Sequence, residues 1–301
     1  MGKGPYPLSI LIQGTGPNLR GSFVELIDRL SSEGIATLEY DKRGTGVSTG
    51  KYEENNDKLI ADARMVLAAM MKRTDIDQRK ITIIGHSQGA IIAPALAFEN
   101  PQIAAIVNLA GGVGDGIDIV SGGMRQTLLD AGKKPEAIET LVNAVTKLVE
   151  AKTAKANDQI LTILRTEVVN GFIANDFSAE DAKGALAKID NDDLQQIAQL
   201  RLGTQLKSVA MPVLQVFGSL DPIVASKYFA VEASKLLAHN PKSKVVMLDG
   251  LSHWFVEGAV TGSAQENATL GGNANSPRLI ALVATWLSGI LAIDADVKSI
   301  P

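Results

Sequence analysis

A serine between two glycines is the residue of this sequence best placed to act as a nucleophile. Residues 80–90 read Lys-Ile-Thr-Ile-Ile-Gly-His-Ser-Gln-Gly-Ala, so a Gly-x-Ser-x-Gly pattern stands between an apolar run and an apolar helical segment. In that context the pattern predicts a tight strand-to-helix turn that exposes the Ser87 hydroxyl at a helix N-terminus. The N–H of Gln88 and the helix dipole favour negative charge there, as acyl transfer requires. The alternative is a glycine-flanked turn with an incidental serine.

A serine hydroxyl needs a neighbouring base, and the sequence contains only three histidines. His86 adjoins Ser87, but neighbours on such a turn point in different directions, so we expect it to support the turn. His239 ends a helical segment, where an imidazole contacts the last carbonyls. His253 follows the last predicted strand, in Asp-Gly-Leu-Ser-His-Trp-Phe. His253 is therefore the predicted general base.

The base in turn needs a carboxylate that holds its tautomer and stabilises the imidazolium. Asp221 directly follows the penultimate predicted strand and precedes a proline, so its loop lies beside that of His253. Asp249 is the runner-up, but it is only four residues before the histidine and is better suited to the turn at Gly250. The predicted catalytic residues are Ser87, Asp221 and His253.

An acyl-transfer site also needs two donors for the oxyanion and a surface for the substrate. The N–H of Gln88 is one predicted donor, and the loop Gln-Gly-Thr-Gly-Pro at 13–17 supplies the other, through the N–H of Thr15 or, as a second choice, of Gly14. Trp254 and Phe255 adjoin the predicted base. They either line the substrate pocket or anchor their loop in the core, and the sequence leaves both readings open.

A charged stretch, Tyr-Asp-Lys-Arg-Gly-Thr-Gly-Val-Ser at 40–48, comes directly after the second predicted strand. Its glycines permit a compact loop. Asp41 and Arg43 are placed to fix that loop through charged hydrogen bonds, with substrate contact as the alternative.

The elements that position these residues alternate along the chain. Nearly continuous Ile, Val and Leu runs predict strands buried on both faces, and amphipathic segments between them predict helices. The predicted strands are 8–12, 35–40, 80–84, 103–109, 213–217 and 244–248, and the predicted helices are 21–32, 57–73, 88–99, 226–239 and 277–291. Such alternation predicts an α/β fold with a doubly wound, mostly parallel sheet.

One interval interrupts this alternation. Residues 113–207 contain no convincing strand, and apolar residues recur there at steps of three and four, as in amphipathic helices. An insertion this long is not a structureless loop, so we expect a helical cap at 113–207 over a sheet domain formed by 1–112 and 208–301. The alternative is that these helices are extra packing.

Four motifs carry a resemblance to a known superfamily. The Gly-Thr-Gly-Pro loop at 14–17, the Asp-Lys-Arg-Gly-Thr-Gly-Val-Ser stretch, the Gly-His-Ser-Gln-Gly elbow and the Gly-Leu-Ser-His segment at 250–253 together resemble the α/β-hydrolases. They are most similar to the bacterial esterase and lipase-like branch related to dienelactone hydrolases and serine aminopeptidases. The resemblance implies a serine carboxylesterase that cleaves small to medium esters through an acyl-serine, without a metal or organic cofactor.

The sequence departs from the family pattern in two places. Members often carry His-Gly where this chain has Gln13-Gly14, so a different side chain supports the oxyanion loop. The first predicted strand corresponds to the third strand of the family, so the antiparallel strands that usually begin the fold are not expected.

Other activities remain open on the same triad. An aminopeptidase would need acidic cap residues for a substrate ammonium, and Glu167, Asp176, Glu180 and Asp181 are available, although a solvated helix face explains them equally well. A thioesterase for coenzyme A esters would need a basic patch, of which Lys133-Lys134 is thin support. A non-catalytic ligand-binding protein of the same fold is the rival from another class.

Composition excludes several classes of protein. Of 301 residues, 46% are apolar and 21% charged, as in ordinary globular domains and unlike disordered chains. The net charge of -4 gives no basic footprint for nucleic acid, no apolar run is long enough for a transmembrane segment, and the absence of cysteine removes thiol chemistry and disulfides.

We expect the partner of this protein to be a small-molecule ester. The sequence leaves open whether the chain forms a homo-oligomer. The sequence leaves the compartment undetermined: as sequenced the chain reads as soluble and cytoplasmic, with a removed secretory leader as the alternative.

Overall fold

A computed structural model describes residues 4–272 and 275–293. Within them the chain forms one six-stranded sheet, in the order β2-β1-β3-β4-β5-β6. The strands are β1 (Tyr6–Ile12), β2 (Ala36–Glu39), β3 (Ile76–His86), β4 (Ala105–Leu109), β5 (Val213–Gly218) and β6 (Lys244–Leu248).

Each neighbouring pair of strands runs parallel, so the predicted doubly wound, parallel sheet is confirmed. The strands β4 and β5 are wholly buried and β3 is buried from Ile81 to Gly85, whereas the outermost strands, β2 and β6, are only half-buried. All six strands point the same way, and their carboxyl ends therefore meet at one edge of the sheet, where open α/β sheets bind their ligands.

The helices lie between and after the strands. They are α1 (Val24–Ser32), α2 (Asn56–Met70), α3 (Gly89–Glu99), α4 (Gly116–Asp130), α5 (Pro135–Thr153), α6 (Asp158–Ala174), α7 (Ala179–Ile189), α8 (Asp192–Ala198), α9 (Leu202–Ser208), α10 (Ser226–Leu237), α11 (Ala264–Thr269) and α12 (Pro277–Ile290).

Helices cover both faces of the sheet. On one face Leu11 and Val107 join Leu26 of α1 and Val283 of α12 in a single buried core. Side chains alternate between the two faces along each strand, so residues such as Ile83 point to the other face of the sheet. On that face α3 packs on β3 and β4, and α2 packs on α3. Burial on two faces explains why the strands are continuous in Ile, Val and Leu.

Helix α1 begins at Val24, three residues later than the sequence pattern predicts. The N–H groups of Gly21 and Ser22 donate to the Glu39 carboxylate at 2.6 and 3.0 Å, and Gly21 has a φ of +104°. These bonds take the segment out of the helix and tie it to the end of β2.

The chain divides into two compact units. One comprises residues 1–112, 205–226 and 230–301 and contains the sheet; the other comprises 113–204 and 227–229 and is helical. The helical unit has its own core, in which Leu141, Val145 and Leu148 of α5 pack with Val168 and Phe172 of α6. Its role as a cap stays a prediction.

Within the described residues, no helix combines the length and the apolar character needed to cross a membrane.

Candidate active site

Ser87 occupies the turn between β3 and α3. Its φ is +53°, a left-handed conformation that is costly for a residue with a side chain, and its N–H donates to the carbonyl of Leu109 at 2.8 Å. A Cβ at Gly85 would overlap the carbonyl oxygen of Gly89, and one at Gly89 would overlap that of Ile12. The two glycines therefore permit the close approach that holds this strained turn.

His253 and Asp221 meet at the carboxyl ends of β5 and β6. Nδ1 of His253 lies 2.8 Å from Oδ2 of Asp221, and their side chains are 3% and 0% exposed. The other carboxylate oxygen, Oδ1, accepts the N–H groups of Ile223 and Val224, both at 2.8 Å. Because a carboxylate only accepts, Nδ1 of His253 carries the proton and Nε2 is left to act as a base.

His86 supports His253 from the end of β3. Its Nε2 lies 2.9 Å from the carbonyl oxygen of His253 and donates to it, and the two rings are 5.0 Å apart. Burial, with a smaller contribution from His253, lowers the pKa of His86 to about 4. His86 is therefore neutral near pH 7 and holds the backbone of His253 without adding charge to the site.

The other two candidates from the sequence serve local structure. His239 Nδ1 lies 2.9 Å from the carbonyl oxygen of Leu236, at the end of α10. Asp249 accepts the Ser219 hydroxyl at 2.9 Å, and that hydroxyl accepts the N–H of Gly250 at 2.8 Å. Both residues thus lie outside the group around Ser87.

One cleft of about 430 Å³ joins these residues within the sheet-containing unit, a volume typical of small-molecule sites. It is lined by Gln13, Gly14, Thr15, Asn18, Ser22, Phe23, His86, Ser87, Leu109, Ile223, His253, Trp254, Phe255, Asn275 and Leu279. None of these lining residues is acidic, and none is a lysine or an arginine. Among the described residues Ser87 and His253 share no hydrogen bond; such bonds are often long before a substrate binds.

The predicted oxyanion donors flank Ser87. A Cβ built on Gly14 would lie 3.1 Å from Cβ of Ser87, so the loop after β1 passes directly beside Ser87. Within the part of the chain that the structure describes, the N–H groups of Gln88 and Thr15 donate to no acceptor. Both are therefore available to an oxyanion, and Gly14 contributes the close approach.

Gln13, which stands where the resemblance leads us to expect histidine, anchors the loop after β1. Its Nε2 donates to the carbonyl of Leu19 at 2.5 Å and to the Glu39 carboxylate at 2.9 Å, and the residue is 4% exposed. The amide thus ties the end of β1 to the end of β2.

Trp254 and Phe255 both line the cleft, and they do so differently. Phe255 is 1% exposed, has a φ of +57° and belongs to the core between the sheet and α12. Trp254 is half-buried, with its ring 5.3 Å from that of His253. Phe255 thus both anchors its loop and borders the cleft, which combines the two readings that the sequence left open.

Sequence reasoning did not single out Lys42, which the structure places against the loop after β1. Lys42 is 3% exposed, and its Nζ donates to the carbonyl of Gly14 and, at 2.9 Å, to Oε1 of Gln88. Burial lowers the pKa of Lys42 to about 8, and the charge of Glu54 partly offsets this. The only signal for Lys42 in the sequence was its position, three residues after the carboxyl end of β2.

Asp41 and Arg43, which flank Lys42 in sequence, brace the loop after β2. The sequence favoured this bracing role over contact with a substrate. Asp41 accepts the N–H groups of Arg20 at 2.9 Å and Val47 at 3.1 Å, and these bonds lower its pKa. Arg43 makes a two-pronged ion pair with Asp62, with both distances 2.6 Å. Neither side chain is among those that line the cleft.

No cluster of three or more His, Asp or Glu side chains that could hold a metal ion occurs in the described part of the chain.

Comparison with known proteins identifies a family and several relatives. The model of the family described as serine aminopeptidase, S33 matches residues 11–256. Esterase EstD of Thermotoga maritima is 24% identical over 294 residues, which cover 95% of this chain and 63% of the esterase. The chain thus spans less than two thirds of the length of that relative.

Two solved structures share the fold. A structure from a study of carboxylesterases of Nitrososphaera gargenis has a TM-score of 0.54 and 17% identity, with 95% of this chain and 92% of that chain covered. An esterase of Pyrococcus furiosus has a TM-score of 0.55 and 18% identity, with 96% and 85% covered. At these identities the likeness establishes the α/β-hydrolase fold and leaves the activity to be argued from the site.

Proposed function

The chain belongs to the serine aminopeptidase S33 family of α/β-hydrolases, and on that premise we propose that it is a serine hydrolase of small to medium carboxylic esters. The observation that carries the proposal is the cleft itself, which Ser87 on its strained turn shares with His253, whose Nδ1 is bonded to Asp221. A nucleophile, a base and a group that orients the base are what acyl transfer needs.

In the proposed reaction Ser87 Oγ attacks the ester carbonyl carbon while Nε2 of His253 accepts the hydroxyl proton. The carbonyl oxygen becomes an oxyanion, which the N–H groups of Gln88 and Thr15 bind. The resulting imidazolium then protonates the leaving alcohol, and the C–O bond breaks to give an acyl-serine. A water molecule, deprotonated by His253, then attacks the acyl carbon; the acyl–Oγ bond breaks, the imidazolium returns the proton to Ser87 Oγ, and the carboxylic acid is released.

Asp221 stabilises the imidazolium in both halves of this cycle. Its carboxylate bonds Nδ1 of His253 and is held in place by two backbone N–H groups, so the ring cannot rotate its protonated nitrogen towards Ser87. His86 fixes the backbone that carries the base. The positions of these groups support a base that is oriented before the substrate arrives.

The neutral lining of the cleft favours an uncharged substrate. Apart from the histidines its lining residues carry no ionisable acid or base, so the described cleft offers no carboxylate to a substrate ammonium. In the helical unit Asp176 pairs with Lys133 at 3.4 Å, and Asp181 accepts the hydroxyl of Ser178 at 2.6 Å. These contacts favour the reading of the acidic residues as a solvated helix face and weigh against aminopeptidase activity.

Thioesterase activity is supported still less. Coenzyme A would need a basic patch, for which Lys133-Lys134 was the candidate. Lys133 is engaged with Asp176, and its Nζ lies 5.7 Å from the ring centre of Phe177. Ester cleavage is therefore the proposed activity, in keeping with the esterases among the relatives.

A turnover panel tests the proposal. Purified protein is assayed with nitrophenyl esters of graded acyl length, one aminoacyl anilide and one acyl thioester. We expect kcat/KM to be highest on an ester of short or medium length, and this turnover to require Ser87. A preference for the anilide would establish the aminopeptidase alternative instead.

A further inference from the structure

Lys42 is a buried cation that the catalytic cycle above does not use. The ammonium group makes no salt bridge within the described residues, although burying an unpaired charge is costly. It donates instead to two neutral oxygens, the carbonyl of Gly14 and Oε1 of Gln88. Gly14 lies in the loop beside Ser87, and Gln88 directly follows Ser87 as the N-cap of α3.

The first acceptor fixes the direction of a predicted oxyanion donor. The carbonyl of Gly14 and the N–H of Thr15 belong to one peptide group, and in a trans peptide they point in opposite directions. The carbonyl is held by Lys42 and by Nδ2 of Asn18, the latter at 2.8 Å. With the carbonyl held on that side, the N–H of Thr15 is directed away from Lys42, and Thr15 lines the cleft.

The second acceptor fixes the residue that carries the other donor. Oε1 of Gln88 accepts from Lys42 at 2.9 Å, and Nε2 donates to Oδ1 of Asn56 at 3.0 Å and to Glu54. The side chain of Gln88 is thus bonded at both ends, and the residue is 7% exposed. A single ammonium group therefore bonds the peptide of one donor and the side chain beside the other.

We propose that Lys42 is a positioning residue that orients and polarises the oxyanion hole of this hydrolase. It acts through the Gly14–Thr15 peptide and through Gln88, and does not touch the substrate. Its positive charge draws electron density towards the carbonyl of Gly14, which makes the N–H at the other end of that peptide a stronger donor. The inference rests on the proposed function, since an oxyanion hole has a role only in acyl transfer.

The surroundings of Lys42 indicate that its charge can be lost at moderately alkaline pH. The ring centre of Tyr52 is 5.9 Å from Nζ, and Glu54 is the one carboxylate that raises its pKa. The flanking Asp41 and Arg43 are turned to other partners. With a pKa of about 8, Lys42 is mostly charged at pH 7 and mostly neutral at pH 9.

The test measures how fast a fluorophosphonate labels Ser87, because the adduct places its phosphoryl oxygen in the oxyanion hole. Lys42→Met keeps the length and the apolar stem of the side chain but removes the ammonium group. We expect its rate constant for labelling at pH 7 to fall by about 10²-fold, the loss typical of a removed oxyanion donor. Lys72→Met, at an exposed lysine after α2, is the matched control and should label at the wild-type rate.

The pH profile separates positioning from a merely structural role. As pH rises from 7 through 8 to 10, the ratio of the wild-type rate constant to that of Lys42→Met should shrink, because wild-type Lys42 loses its charge. A lysine that only stabilises the fold would leave this ratio constant with pH. If Lys42→Met does not fold, Gln88→Met, which removes one acceptor and keeps the backbone N–H, should label at least roughly 10-fold more slowly.

The outcomes distinguish this inference from the proposed function. Labelling of folded Lys42→Met at the wild-type rate would overturn the role of Lys42 and leave ester hydrolysis untouched. A wild-type protein that is labelled at Ser87 with the expected dependence on Lys42, but turns over no ester, would support the role and overturn the proposed substrate. A wild-type protein that is not labelled would overturn both.

Discussion

Nδ1 of His253 donates to Oδ2 of Asp221 across 2.8 Å, between loops that follow two neighbouring strands. The bond is buried, and the remaining oxygen of the carboxylate is already occupied by two N–H groups. Asp221 therefore has one free direction for a strong hydrogen bond, and His253 fills it. This arrangement fixes the orientation of the imidazole in advance, as the proposed role of His253 as a base requires.

Asp221→Asn should lower kcat by roughly 10⁴-fold, as in other triad hydrolases, because the amide favours the wrong tautomer of His253. KM should change little, since the cleft is not altered. Ester turnover at saturating substrate measures the effect. Asp249→Asn is the matched control, because Asp249 bonds Ser219 and not His253. Equal losses in the two variants would contradict the assignment of Asp221.

Gly85→Ala should destabilise the protein, because the added methyl group would overlap the carbonyl of Gly89 at the turn. We expect the free energy of unfolding to fall by about 3 kcal/mol or more, as for overpacked core sites. Gly184→Ala is the control, because Gly184 is exposed in α7 and a Cβ there meets no atom within 4 Å. That variant should gain about 1 kcal/mol from helix propensity. Denaturant unfolding measures the free energy of unfolding of both variants. If Gly184→Ala lost as much stability as Gly85→Ala, the steric argument would be refuted.

The stability of the protein should fall in acid partly through His86. Its pKa is about 4 in the folded state and 6.5 when unperturbed, so between these values the unfolded chain binds more protons. Stability from this group is therefore complete above pH 6.5 and declines as pH falls to 4, by at most about 3 kcal/mol.

His86→Asn keeps a side-chain donor for the carbonyl of His253 but cannot be protonated. We expect its unfolding free energy to change less between pH 6.5 and 4 than that of the wild type, whereas His239→Asn, at an exposed histidine, should follow the wild type. Urea unfolding at a series of pH values gives the comparison. Identical pH slopes for His86→Asn and the wild type would show that His86 does not contribute.

The fold was largely predictable because hydrophobic periodicity reports burial directly. β6 has the predicted bounds of Lys244–Leu248, and α10 begins at the predicted Ser226. Element ends were less predictable where side chains from distant segments intervene, as Glu39 does at the start of α1. The strand β3 likewise begins at Ile76, before its apolar run, because Ile76 pairs with Tyr6 of β1.

The candidate site was predictable where a local pattern or the scarcity of a residue type constrained it. Ser87 stands in a motif, and only three histidines compete for the role of base. Lys42 was not predictable in this way, because its partners lie 28 and 46 residues away in sequence and only the folded sheet brings them together. The double role of Phe255 also depends on the packing of α12, which no local pattern encodes.

The central claim is that Ser87 is the nucleophile and carries the acyl group. Its most direct test is to mix the protein with a short-chain nitrophenyl ester, quench it during the first turnover, and locate the added acyl mass by mass spectrometry of peptides. We predict one acyl group on the peptide that contains Ser87, and a kcat for Ser87→Ala lower by on the order of 10⁶-fold. Acylation of another residue, or near-normal ester turnover by Ser87→Ala, would contradict the claim.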